Sequence, residues 1–264
     1  EMGDKDLNIY SEGLGILVED GIILSIRDSE ELISEYAPSW DRNTEKIGNM
    51  NIIDAKGGAI VPGFVDSHTH LIWGGDRSNE MALRQRGLSY SDISKLGGGI
   101  SKTVEATRRL SIQELVDIGV QRASNALRMG TTTMEAKSGY GLSTESELKL
   151  LEATERVNRI SVCDIQATWL GAHDVPKQNN KEEYIEELIS KQLPMVVEQG
   201  IAVWADVFCE PGWFTVDDTI EIITASKNVG LGSRIHADEF LDSGGLGIAA
   251  ELGSISACLL YTSP

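Results

Sequence analysis

The chain of 264 residues has few cysteines and histidines, a shortage of basic residues and no long apolar run. Its three cysteines, Cys163, Cys209 and Cys258, are too few and too scattered for a disulfide framework or a cysteine-rich zinc site. No apolar stretch approaches the length that a bilayer span requires, and the start of the chain lacks the basic and apolar regions of a secretion signal. We therefore expect a soluble, cytoplasmic protein.

Basic residues are scarce relative to acidic ones, with 23 lysines and arginines against 41 aspartates and glutamates and a net charge of −18. The long-range field of such a surface repels nucleic acid and anionic membranes. Solubility alone is a sufficient explanation of the acidic excess. We expect neither nucleic acid nor a membrane among the partners.

The pattern of apolar residues divides the chain into two regions. Residues 1–58 contain short strand-like runs, and residues 13–26, with an Asp20-Gly21 turn, have the pattern of a β-hairpin. This region predicts a small β domain. Residues 59–264 alternate apolar strands with capped helices joined by short loops, and this alternation indicates a parallel sheet.

Several helix boundaries can be predicted in the second region. Ser111 and Thr144 are each followed three residues later by a glutamate, which is the spacing of a capping box. Thr215 can cap another helix. A helical segment over 181–199 is expected to bend or break at Pro194.

A chain of alternating strands and helices forms either a doubly wound sheet or a closed barrel. The glycines at 97–99 follow a helix-like segment instead of the first strand, so they do not match a dinucleotide-binding turn. All four histidines fall at the predicted C-terminal ends of strands, which is where barrels place functional residues. The barrel is therefore favoured, although the region holds only about six strand–helix units and a complete barrel has eight.

The segment Ile60–Arg77, with the sequence IVPGFVDSHTHLIWGGDR, is the centre of the functional prediction. Its apolar start predicts a buried strand, and residues two apart on a strand face the same side, so His68 and His70 point to one place. An isolated His-x-His pair is more often packed or exposed than ligating. With His236 from another strand end, however, the chain offers three nitrogen ligands that suit zinc or iron.

Four further polar residues lie where they could serve such a site. Glu239, three residues after His236, could accept a proton from water that the metal activates and return it to a leaving nitrogen. Arg77 could bind a substrate carboxylate bidentately, and His173 and Tyr140 could contact substrate. Each also has an ordinary interpretation, as a solvated loop residue or a structural side chain.

The motifs that surround these residues resemble those of a known family. PGFVDSHTHL resembles the first metal-binding strand of the amidohydrolase superfamily. GDR, GGGI, KSGYGL, WLGAHDVP, DVFCE and HADE, in this order, resemble the imidazolonepropionase family over nearly the whole chain. The resemblance implies an α/β fold, a TIM-like (β/α)8 barrel of the metal-dependent amidohydrolase type, with a small N-terminal β-sandwich domain.

The resemblance also implies an activity, which is hydrolysis of the ring amide of 4-imidazolone-5-propanoate to N-formimidoyl-L-glutamate in histidine degradation. One divalent metal ion, zinc or iron, would be the cofactor, and a small-molecule substrate and a homodimer are the expected partners. By position in the motifs, the metal ligands would be His68, His70 and His236, and Glu239 would be the catalytic proton shuttle. The substrate-binding residues would be Arg77, Tyr90, Tyr140, His173 and Glu239.

The chain departs from the family pattern near its end. The family has an Asp-His pair after Ser-Ala on the sixth strand, where this chain has Cys258-Leu259 after Ser256-Ala257, and the family's fourth ligand, an aspartate on the eighth strand, has no counterpart before Pro264. We expect a C-terminally incomplete barrel over 59–264 that is nearly inactive alone, with a tail from Cys258 that is a cloning or read-end junction.

Two alternatives remain open at this point. One is another cyclic amide or amidine amidohydrolase or a deaminase, although Arg77 favours a substrate that carries a carboxylate. The other is a non-catalytic metal-binding fragment.

Overall fold

The computed structural model describes residues 10, 12–88, 92–93 and 96–260. The chain separates into two compact units, Glu1–Pro62 and Gly63–Pro264. In the described part of the chain, no helix is both long and apolar enough to cross a membrane.

The first unit is built from two short antiparallel hairpins. Strands β1 (Leu14–Glu19) and β2 (Ile22–Asp28) pair across a turn in which Asp20 and Gly21 have φ of 51° and 78°. Positive φ at both turn residues is the geometry that matches the twist of a two-residue hairpin, so the sequence signal is confirmed. Helix α1 (Ser29–Tyr36) follows, and then β3 (Lys46–Ile47) pairs with β4 (Met50–Asn51).

The second unit contains a six-stranded parallel sheet. Its strands lie side by side in chain order: β5 (Phe64–Asp66), β6 (Thr131–Lys137), β7 (Asp164–Ala172), β8 (Trp204–Cys209), β9 (Gly232–Ala237) and β10 (Ser256–Cys258). A doubly wound sheet reverses its strand order at a switch point, whereas a barrel adds each new strand at the same edge. The strand order therefore shows part of a TIM-like barrel, with β5 and β10 as edge strands.

Helices connect the strands and cover the outside of the sheet. They are α2 (Glu80–Gln85), α3 (Ile100–Arg109), α4 (Ile112–Arg128), α5 (Thr144–Ile160), α6 (Lys181–Glu187), α7 (Leu193–Gln199), α8 (Val216–Asn228) and α9 (Gly245–Glu251). Buried side chains such as Leu115, Leu151, Trp169 and Ile222 fill the space between these helices and the sheet.

Two of the predicted helix starts are confirmed. Ser111 and Glu114 form a reciprocal capping box at the start of α4, and Thr215 forms one with Asp218 at the start of α8. Each box satisfies two backbone N–H groups that have no partner within the helix.

The capping box predicted at Thr144 is wrong. Ser143 caps α5 by accepting the N–H of Ser146, and Thr144 is already the first helical residue. The side chain of Glu147 turns away from the helix start and accepts three N–H groups of the preceding loop instead. Two adjacent hydroxyl residues made the one-residue shift invisible in the sequence.

The predicted break near Pro194 takes the form of a π-helical segment. Residues 188–192 form this wider turn between α6 and α7, and Pro194 then lies in the first turn of α7. Proline has no N–H and its ring collides with the carbonyl four residues earlier, so a regular helix cannot continue through it. The wider π turn removes that collision.

The buried strand predicted from Ile60 is also wrong in extent and burial. Strand β5 has only three residues, and the side chains of Phe64 and Val65 are 59% and 68% exposed. Among the residues that the structure describes, β5 is an edge strand that pairs with β6 alone, so one side of it lacks the neighbour that buries a central strand. His68 and His70 follow this strand instead of ending it.

Candidate metal centre

The four histidines of the chain converge at one end of the parallel sheet. His68 and His70 follow β5, His173 follows β7, and His236 lies in β9. The ring centroids of His68 and His236 are 4.6 Å apart, and those of His70 and His173 are 4.8 Å apart in a stacked pair. The predicted meeting of the strand ends is thus present in the structure.

The histidines, together with Cys258, form two overlapping groups that could each hold a metal ion. One group consists of His70, His173 and His236, and the other of His68, His236 and Cys258. Within each group the possible ligand atoms lie within 4.8 Å of one another. The set expected from the sequence, His68, His70 and His236, is divided between the two groups, and His173 lies among the possible ligands as well as beside the substrate-binding candidates.

Hydrogen bonds fix the orientation of three of the imidazole rings. The Nδ1 atoms lie 3.0 Å from the Ser138 carbonyl oxygen for His70, 2.9 Å from the Gly139 carbonyl oxygen for His173, and 2.9 Å from Oδ2 of Asp206 for His236. Carbonyl and carboxylate oxygens only accept, so Nδ1 carries the proton in each ring. The Nε2 lone pairs therefore remain for a metal ion, as in most metal sites of this kind.

His68 differs from the other three histidines. Its Nδ1 is buried and has no hydrogen-bond partner among the described residues. A buried polar nitrogen without a partner is costly. A metal ion between the histidines would satisfy the ring, so the residues present fit a divalent cation with nitrogen ligands.

The surroundings keep these histidines neutral. Burial, and secondarily the nearby His236, lowers the pKa of His68 to about 4, and burial lowers the pKa of His173 to about 3. Burial also holds the pKa of His70 well below its usual value. Neutral imidazole is the form that binds metal, so all three rings are ready to ligate at neutral pH.

A buried charge network lies beneath His236. Lys137 Nζ donates to Oδ2 of Asp206 at 2.6 Å and to Oε1 of Glu135 at 2.8 Å, and Thr168 donates to the same oxygen of Glu135. Burial opposes the charge on Lys137, but Asp206 and Glu135 outweigh it and raise the pKa of the amine. Asp206 also accepts the backbone N–H of His236, so this one carboxylate binds both the backbone and the imidazole ring of the histidine.

Glu239, the predicted proton shuttle, is half-buried in the loop after β9. Its backbone N–H donates to Oε2 of Glu210 at 3.0 Å, and Leu241 N–H donates to Oε1 at 2.9 Å. Burial raises the pKa of Glu239, the nearby His236 partly opposes this rise, and the Glu210 carboxylate adds to it. A raised pKa suits a carboxylate that exchanges protons near neutral pH.

The remaining predicted site residues are placed differently from one another. The Tyr140 ring lies 5.0 Å from that of His70 and 5.2 Å from that of His173, so Tyr140 is part of the histidine cluster. Arg77 pairs with Glu80 at 2.8 Å, and the buried Glu80 also accepts the N–H of Gly99. Tyr90 lies outside the described residues.

Sequence reasoning missed several residues that surround the site. Asp206 and Glu210 lie in and just after β8, and Phe208 lies between them with its ring 5.9 Å from that of His236. Trp213 packs on Phe208 with 5.2 Å between ring centroids. The signal for the two acids was visible, since both occur in the apolar stretch ADVFCE at a strand end, where charge requires a specific partner.

The chain is similar in sequence to known proteins. Residues 51–113 match the profile of the amidohydrolase family. An imidazolonepropionase of Alkaliphilus metalliredigens is 42% identical over 91% of the chain, and one of Symbiobacterium thermophilum is 43% identical over 96%. The chain covers 57% and 58% of these two relatives, so it spans less than two thirds of their length.

Solved structures support the fold. A 5-methylcytosine deaminase from Klebsiella pneumoniae, liganded with phosphonocytosine, aligns with a TM-score of 0.61 over 90% of this chain and 52% of its own, at 16% identity. An adenine deaminase from Arthrobacter aurescens aligns with a TM-score of 0.50 over 75% of this chain and 64% of its own, at 14% identity. The chain is therefore similar to curated imidazolonepropionases over nearly its whole length, and part of it matches the amidohydrolase family profile.

Proposed function

We propose that the protein is a cytoplasmic, metal-dependent hydrolase that opens the ring amide of 4-imidazolone-5-propanoate. Water adds its oxygen to the ring carbonyl carbon, the carbon–nitrogen bond breaks, and the leaving nitrogen takes up a proton to give N-formimidoyl-L-glutamate. The observation that carries the proposal is the convergence of four imidazoles, three of them with Nδ1 held by an acceptor and Nε2 left for a ligand.

His68, His70 and His236 would hold one zinc or iron ion, with His173 close enough to take part. A divalent ion at this position supplies Lewis-acid activation of water and of the substrate carbonyl. Asp206 and the Ser138 carbonyl hold the rings of His236 and His70 in the tautomer that ligates. Nitrogen ligands suit either metal, so the donor set alone does not choose between them.

Glu239 would move the proton. Its raised pKa lets the carboxylate accept a proton from the attacking water and donate it to the ring nitrogen as the amide breaks. The backbone hydrogen bonds from Glu239 and Leu241 to Glu210 hold the loop that carries this carboxylate. One residue thus takes the proton from the water first and then gives it to the leaving nitrogen.

Arg77, Tyr140, His173 and Tyr90 would bind the substrate. A guanidinium matches a carboxylate in geometry and charge, and Arg77, held by the buried Glu80, would take the propionate. Tyr140 and His173 lie against His70, where they would contact the imidazolone ring. In the whole protein we expect a complete (β/α)8 barrel, a small N-terminal β-sandwich and a homodimer.

The decisive experiment measures metal and turnover separately. The protein encoded by the full reading frame, with the 264-residue chain in parallel, is loaded with zinc or iron and assayed with 4-imidazolone-5-propanoate and with purine and pyrimidine amines. We expect one metal per chain and turnover of the imidazolone. Turnover of the amines alone would indicate a deaminase, and bound metal without turnover of either class would indicate a non-catalytic metal-binding protein.

Variants test the two main roles. Glu239→Gln is expected to keep its metal and to lose turnover by roughly 100-fold or more, the size of a general acid–base contribution. Glu221→Gln, which changes an exposed glutamate on α8, is the matched control. Unchanged turnover in Glu239→Gln would remove this residue from the mechanism. Arg77→Met is expected to raise KM far more than it lowers kcat.

A further inference from the structure

The loop between β6 and α5 orients two histidines that come from different strands. Its residues Ser138 and Gly139 present consecutive carbonyl oxygens, one to Nδ1 of His70 and the other to Nδ1 of His173. The two imidazole rings stack with an angle of 14° between their planes. Because one short stretch of backbone holds both rings, any movement of that stretch would turn both of them.

The loop itself is held by the side chain of Glu147, which is fully buried. Oε2 of Glu147 accepts the N–H of Gly139 at 2.9 Å, and Oε1 accepts those of Gly141 and Leu142, both at 2.7 Å. A single side chain from helix α5 thus binds three of the five residues of the loop 138–142.

The loop adopts a conformation that requires such support. Gly139 has φ of 97° and Leu142, which is not a glycine, has φ of 48°. Left-handed backbone at a non-glycine residue persists only where the surroundings enforce it. The fit around the loop is also close, because a Cβ at Gly139 would lie 2.8 Å from Nδ1 of His173 and 3.0 Å from the carbonyl oxygen of Leu170.

Helix capping does not account for Glu147. Ser143 caps α5 with its own hydroxyl, and both carboxylate oxygens of Glu147 are engaged by the loop before the cap. Removing a carboxylate from water costs several kcal/mol unless it is well bonded. The chain retains this buried carboxyl group at the point where the loop meets the histidines, which indicates a role in the site.

We propose that Glu147 is a positioning residue of the metal centre, which acts through the loop 138–142 to hold His70 and His173 as Nδ1–H tautomers. Their Nε2 atoms are thereby directed to the metal and the substrate. The assignment rests on the proposed function in one respect, which is the identity of the ligands that His70 and His173 bind. The coupling from Glu147 to the two rings is a property of the chain itself and can be measured without metal.

The test is the tautomeric state of the histidines in the metal-free 264-residue chain, read by long-range ¹H–¹⁵N correlation NMR. The chain has four histidines, so each ring can be followed. In the unmodified chain His70 and His173 are expected as single Nδ1–H tautomers. In Glu147→Gln, whose amide presents an N–H to the loop donors, both are expected to become tautomer mixtures while His236, held by Asp206, stays unchanged.

The control is Thr154→Val on the same helix, which removes a buried hydrogen bond to the Leu150 carbonyl at a position away from the loop. It should leave the histidine tautomers as they are. If Glu147→Gln does not fold, Glu147→Asp keeps the charge but withdraws it from the loop, and the same mixtures are expected. Single Nδ1–H tautomers at both rings in a folded Glu147 variant would overturn the proposal.

Zinc titration then separates the two proposals. We expect Glu147→Gln to bind zinc about 10- to 100-fold more weakly, the range found when a residue behind a ligand is removed. An unmodified chain that binds no zinc, together with altered tautomers in the Glu147 variant, would contradict the proposed function and keep the coupling. Unchanged zinc affinity together with unchanged tautomers would contradict the role of Glu147.

Discussion

Strands β5 and β8 belong to the same sheet and end at the same site, yet their surroundings are opposite. All three residues of β5 are exposed, whereas five of the six residues of β8 are buried. Within the described residues, strand β5 pairs with β6 alone, while β8 pairs with β7 on one side and β9 on the other. Helix α8 and its neighbours cover β8 from outside. Burial in a parallel sheet therefore depends on neighbours and covering helices more than on the apolar content of the strand.

The difference in burial between the two strands also affects what a charged side chain on each strand can do. Asp206 in β8 is fully buried and is held by Lys137 and His236. Asp66 in β5 is exposed and accepts the N–H of His68 at 3.3 Å. A buried carboxylate orients its partners strongly because water does not compete. The central strands thus hold a buried charge network, and the segment after the edge strand carries two of the candidate ligands, His68 and His70.

The largest expected effect comes from removing the charge at the centre of β8. Asp206→Ala leaves Lys137 buried without one of its two partners and should lower the free energy of unfolding by about 3–5 kcal/mol. Chemical denaturation measures this, with Glu105→Ala in an exposed ion pair on α3 as the control, expected within about 0.5 kcal/mol. Equal effects in the two variants would mean that the buried network does not stabilise the centre.

A smaller loss is expected from an apolar residue of a central strand. Ile235 in β9 is fully buried, and Ile235→Ala should cost about 2–5 kcal/mol because it removes buried surface and leaves a cavity. The midpoint of urea unfolding reports the change. A loss below 1 kcal/mol would show that the central strands are not packed as the structure describes.

A helix cap depends on residues close in the chain, so the loss of unfolding free energy on removing it should not depend on which strand lies beside the helix. Thr215→Ala removes the cap of α8 beside the central strands, and it should cost about 1 kcal/mol, as helix caps generally do. Thr215→Ser, which keeps the hydroxyl, is the control and should restore most of the loss. Thermal unfolding measures the stability of the two variants. A Thr215→Ala variant as stable as the parent would contradict the observed cap.

The smallest effect is expected at the edge strand. Val65→Ala in β5 changes a side chain that is 68% exposed and should alter the free energy of unfolding by no more than about 0.5 kcal/mol. Denaturation alongside Ile235→Ala makes the comparison direct. A loss at Val65 as large as that at Ile235 would show that β5 is covered in solution, and the contrast between the strands would fail.

Much of this protein was determined by local sequence alone. The hairpin at Asp20-Gly21, the capping boxes at Ser111 and Thr215, and the placement of four histidines at strand ends were all predicted, because turn geometry, capping and strand period depend on residues close in the chain. The prediction that His68, His70 and His236 form the ligand set stays a prediction.

Only the tertiary structure decided the rest. The exposure of β5, the engagement of Glu147 by the loop 138–142 and the Lys137–Asp206–His236 network each depend on residues brought together from distant parts of the chain. Asp206 and His236 are 30 positions apart, and Lys137 lies 69 positions before Asp206. The pairing of buried charges is set by strand register and burial, since a carboxylate binds whichever donor the fold places within reach.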